Sequence, residues 1–107
     1  MAVNTSRNES DGGITLPDVV PFALSNPTRL SWELGTRSVR GEDATVLGRW
    51  DHLNSRWRLS LFEVTSETAI VRARTPVGRE RFYGAIRSEL RPAVRALETS
   101  DSWQQVE

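Results

Sequence analysis

The sequence predicts a small α+β domain, and three observations predict it. Helix punctuation brackets Asn26 to Gly35, and an amphipathic stripe runs through Leu90, Ala93, Val94 and Leu97. Between them, Ala69 to Arg74 and Arg79 to Tyr83 flank the turn Thr75-Pro76-Val77-Gly78, a hairpin signal. A chain of 107 residues holds one domain, long enough to bury a modest core. Cysteine is absent, which excludes disulfides, thiolate metal sites and cysteine nucleophiles. The lone His52 cannot form a His cluster, so neither a metal nor a cofactor is expected. No apolar run approaches the roughly 20 residues that span a bilayer, and Met1 onward lacks a signal-peptide pattern. A cytoplasmic protein with no membrane partner is the expectation.

In chain order, residues 1–16 are polar, carry Gly12-Gly13, and read as a mobile N-terminal tail with too little apolar surface to offset ordering entropy. The domain is expected over residues 17–98. Pro17 to Leu24 is apolar and suits a short first helix, with Pro17 in its first turn and Pro21 making its interior irregular. Asn26 as cap, Pro27 at the first helical position and Gly35 as terminator favour a second helix carrying Leu30 and Leu34. The alternation of Leu30, Trp32 and Leu34 is the competing strand signal. Arg37 to Asp43 reads as a connector, Ala44 to Val46 as a brief strand, and Leu47 to Trp50 as one or two helical turns. Leu53 to Val64 fits two periods. Trp57, Leu59 and Leu61 alternate as in a strand, while Leu53, Trp57, Leu61 and Val64 line one face of a helix capped by Asn54. The hairpin follows, then a C-terminal helix from Ser88 through Leu97. Residues 99–107 read as a C-terminal tail, with Trp103 a possible sticky point.

Charge supplies the functional signal. Leu53 to Tyr83 holds six Arg against three Glu, although the whole chain sums to zero. Arg supplies every cation, there being no Lys. A basic patch on a neutral protein points to an anionic partner, most often nucleic acid. The hairpin gathers Arg72, Arg74, Arg79 and Arg81, which repel one another unless carboxylates or phosphates lie between them. No Asp, Glu, Ser or His constellation has a spacing that catalysis requires, so no enzyme is expected and no catalytic residue is assigned.

Ala23-Leu24-Ser25-Asn26-Pro27-Thr28-Arg29-Leu30 resembles the opening helix signature of ArsR-type winged helix-turn-helix regulators. Ala69 to Arg74 with Gly78 to Tyr83 resembles the strand and wing that close the same domain, at the separation the family would give. Leu53 to Glu63 then resembles the loop and recognition helix, and the match runs from Val19 to about Leu97. The resemblance implies a mostly helical winged helix-turn-helix domain with a two- to three-stranded wing and a C-terminal helix. It implies a transcriptional regulator of double-stranded DNA. Asn54, Ser55, Arg56 and Arg58 would read bases in the major groove, while Arg74, Arg79 and Arg81, with Arg72 beside them, would hold the backbone or minor groove. It further implies a homodimer through Leu90, Val94 and Leu97, for which packing inside the monomer is the alternative. The family's cysteine metal site has no counterpart, and metal sensing is not implied. The competing class is a protein–protein interaction module, suggested by Trp32, Trp50, Trp57 and Trp103. Indoles exposed in one patch would favour it; buried indoles with arginines sharing one surface would favour DNA.

Overall fold

The computed structural model describes residues 16–106, of which 37% are strand and 23% helix. The elements are β1 (Thr28–Leu30), α1 (Trp32–Val39), β2 (Thr45–His52), β3 (Arg58–Glu63), β4 (Thr68–Arg74) and β5 (Glu80–Ile86). A 3-10 turn (Arg87–Glu89), α2 (Leu90–Thr99) and β6 (Trp103–Gln105) follow. All described strands join one antiparallel sheet in the order β1-β5-β4-β3-β2-β6. This overturns the winged helix-turn-helix expectation: the described residues are mainly β, and no helix-turn-helix occurs among them.

The decisive stretch is Leu53 to Glu63, where the strand period wins. Leu59 and Leu61 face Ala73 and Val71 across the β3–β4 pair, so one alternating row meets another and both are buried. No single-segment periodicity reveals that match, because half of it lies in β4. Leu47 to Trp50 likewise continues β2 instead of turning helical. Val64 to Thr68 closes the β3–β4 hairpin, with Thr65 Oγ1 accepting from Glu67 N at 3.2 Å and Thr68 N at 3.0 Å. Arg87 braces that turn, pairing bidentately with Glu63 at 3.0 Å and donating to Thr65 O at 3.1 Å.

Each face of the sheet is covered by one helix. Leu90, Ala93 and Leu97 of α2 pack with Leu59, Leu61, Val71, Tyr83, Trp50 and Trp103 on the first face. Leu16, Val19, Val20, Phe22 and Leu24 lie against the same cluster. Pro17 to Leu24 therefore forms an irregular packed segment, not the expected helix; its Val20 N donates to Pro17 O at 3.0 Å. Of the tail expected over residues 1–16, Leu16 packs against this cluster, and the rest lies outside the described residues. On the second face α1 covers Phe62, Ile70 and Phe82.

The helix expected from Asn26 begins later. Thr28–Leu30 pairs with β5, and Ser31 caps α1 by accepting from Leu34 N at 3.1 Å. Gly35 does not end this helix. It sits inside α1, where a Cβ would collide with the Phe82 side chain, within 2.6 Å of its Cβ. The expected β4–β5 hairpin is present, with Gly78 at φ 87° and Thr75 N bonded to Arg79 O at 2.8 Å. Residues 99–107 are not simply a tail: β6 pairs with β2, Trp103 is 5% exposed, and its Nε1 donates to Val19 O at 3.2 Å. Among the described residues no helix is long and apolar enough to cross a membrane.

Candidate anion-binding face of the sheet

The antiparallel register sets polar side chains in two rows across the second face, beside the part that α1 covers. One row runs Arg49, Ser60, Arg72 and then Phe82; the next runs Asp51, Arg58, Arg74 and Glu80. Two residues of strand separate the rows, so their backbones lie about 7 Å apart. Arg49, Arg58, Ser60, Arg72, Arg74 and Glu80 line a groove of about 280 Å³. Thus four guanidinium groups share one surface with two carboxylates.

The four are held differently. Arg58 donates through Nε to Asp51 Oδ1 at 2.7 Å and through Nη2 to Oδ2 at 3.3 Å. That hydrogen-bonded pairing, reinforced by the carboxylate's charge, raises the Arg58 pKa above its ordinary value. Arg72 sits in the middle, its guanidinium 5.3 Å from the Phe62 ring centroid, with Nη2 3.4 Å from Ser60 Oγ. Its only ion-pair contact among the described residues is Glu80 at 3.9 Å. Burial pushes Arg72 below the ordinary guanidinium value; Glu80 opposes this, while Arg49, Arg58 and Arg74 push further down. The group stays charged at working pH, with Glu80 at 3.9 Å as a distant counter-charge. Arg74 is exposed and has no ion-pair partner among the described residues.

The groove continues round the end of β5. Because β1 pairs only with residues 82–84, Glu80 and Arg81 project beyond it. A hollow of about 710 Å³ opens there, lined by Arg29, Trp32, Arg74, Gly78, Arg79, Glu80 and Arg81. Arg74 and Glu80 border both spaces. Together they gather seven of the chain's arginines.

Of the residues expected to read DNA, Arg58, Arg72 and Arg74 share the groove, while Arg79 and Arg81 join Arg74 only at the corner hollow, Arg81 lying opposite Ala73 in the register. Asn54, Ser55 and Arg56 lie in the β2–β3 turn, not on a recognition helix. There His52 Nδ1 accepts from Asn54 N at 3.3 Å and lies 2.8 Å from Ser55 Oγ, so these groups shape a turn. His52 also meets Trp103 edge-on at 4.9 Å, a structural role. Leu90 and Leu97 are buried in the chain's own core and Val94 packs half-buried against it, the within-chain alternative for that stripe. Sequence reasoning missed Arg49, Ser60, Glu80 and Arg29 as site residues, and offered Trp32 only for a protein interface. The available signal was period two: Arg49-x-Asp51, Arg58-x-Ser60 and Arg72-x-Arg74 each place polar groups opposite buried Trp50, Leu59 and Ala73.

No family model matches the chain, and neither does any curated protein or solved structure. The residues that resemble ArsR-type regulators occupy other elements here, Ala23 to Leu30 being loop and β1.

Proposed function

We propose that the chain binds nucleic acid through the arginine rows of β2, β3 and β4, chiefly by phosphate contacts. The carrying observation is Arg72, a guanidinium packed over Phe62 amid three others, with one distant carboxylate for relief. A polyanion supplies Arg72 with closer countercharge than Glu80, and gives Arg74 the partner it lacks among the described residues. An acidic protein surface is less suited, because protein interfaces need an apolar core and this groove has none. Of the four indoles, Trp50 and Trp103 are buried, Trp57 is half-buried and Trp32 alone is exposed, so the indoles do not gather into one exposed patch. Without a recognition helix the proposal keeps nucleic acid and sets aside major-groove reading by a helix, so little sequence preference is expected.

Fluorescence anisotropy with a labelled oligonucleotide across salt concentrations tests it. Arg58→Ala or Arg74→Ala should each weaken binding and flatten the log–log salt slope by roughly 0.7–0.9. Arg91→Ala with Arg95→Ala, on α2 across the sheet, should leave both unchanged. Equal effects from the two sets would refute the assignment of the face.

A further inference from the structure

The corner hollow contains an aromatic ring that phosphate binding alone does not use. Trp32 opens α1 directly after its Ser31 cap and is 59% exposed, whereas Trp50 is 1% exposed. Its neighbours across the hollow are Arg29, Arg74, Arg79 and Arg81. Arg29 is steadied by the Tyr83 ring, 5.8 Å from its guanidinium carbon. Gly78, on the hollow's wall, has open space where a side chain would stand. Arg74 and Glu80 line both the groove of the arginine rows and this hollow, so the two spaces adjoin at charged residues.

An exposed indole that shares a hollow with four arginines suits one ligand chemistry: an aromatic ring joined to negative charge. Unpaired bases offer a face for stacking while their phosphates meet the cations. In a duplex each base is already stacked on both sides, and Trp32 could reach only an end or an extruded base. The arginine rows hold no exposed ring, so they suit backbone and the corner suits a base.

We propose that the Trp32 corner is a base-stacking subsite, and that the preferred ligand is single-stranded nucleic acid whose backbone runs toward Arg74 and Arg72. This rests on the nucleic-acid reading above and narrows it. The subsite takes one base with little discrimination, since stacking engages a face that every base has.

The test uses the full chain with three probes: a short oligothymidylate, a duplex of equal length, and inorganic polyphosphate as a polyanion without bases. Oligothymidylate should quench the exposed indole's fluorescence in the parent protein and bind more tightly than the duplex. Trp32→Ala should abolish that quenching and weaken oligothymidylate binding about 5- to 100-fold, while polyphosphate affinity stays unchanged. Trp32→Phe should retain most of the oligothymidylate affinity. Undiminished oligothymidylate binding in Trp32→Ala, an equal loss for polyphosphate, or preference for the duplex would each overturn the subsite while leaving the arginine face intact. Failure of the parent protein to bind either oligothymidylate or polyphosphate at low salt would overturn both readings together.

Discussion

Arg72 carries a charge that the folded chain disfavours. Its folded pKa lies below its unfolded value, so its protonated form opposes folding at every pH below both, which includes the whole physiological range. Arg72→Met keeps an apolar stem over Phe62 and removes the repulsion from Arg49, Arg58 and Arg74. Thermal unfolding should therefore show stability unchanged or raised by up to about 1 kcal/mol, while oligonucleotide affinity falls. A large loss of stability would mean that Arg72 is a structural ion-pair member and not a binding group. Gly35 marks the opposite situation, a residue whose function is spatial. Ala favours helix over Gly by about 1 kcal/mol, yet a methyl at this position would strike the Phe82 side chain. Gly35→Ala should lower stability in urea titration by about 1–3 kcal/mol, the cost of overpacking. A gain would show that α1 can lift away without penalty. The sequence presents Gly35 as a helix end, because nothing local reveals that Phe82, 47 residues later, lies beneath it.

At the scale of elements, legibility followed locality. The β4–β5 hairpin was readable since Pro76 and Gly78 specify its turn within a few residues. α2 was readable from its stripe, although Glu89 replaces Ser88 at its start and turns its carboxylate to Ser25 N, at 3.1 and 3.3 Å. α1 was displaced because pairing of Thr28–Leu30 with β5 outweighs the cap signal at Asn26-Pro27. β3 was undecidable locally, its two periods being separated only by the alternation of β4. The C-terminal residues carried the weakest signal, yet Trp103 fills the core between β2 and α2. Trp103→Ala should cost about 3–5 kcal/mol, as deletion of a buried aromatic does. A fraying tail would instead lose almost nothing, and chemical denaturation separates the two outcomes.

At the scale of the molecule, zero net charge conceals a polarised surface. Seven arginines and only Glu80 and Asp51 among the acids gather along the rows and the corner, so carboxylates elsewhere balance the sum. Screening confines such a patch to about 10 Å at ordinary ionic strength. Binding should therefore depend on contact with this face, and long-range attraction should contribute little. The charge excess was legible in the sequence, but only the register converts scattered Arg positions into adjacent rows. The most direct measurement is amide and indole NMR shift mapping while an oligonucleotide is added at low salt. The account predicts shifts at Arg49, Arg58, Ser60, Arg72, Arg74 and the Trp32 indole, with Arg91 and Arg95 silent. Shifts centred on α2, or none at all, would contradict it.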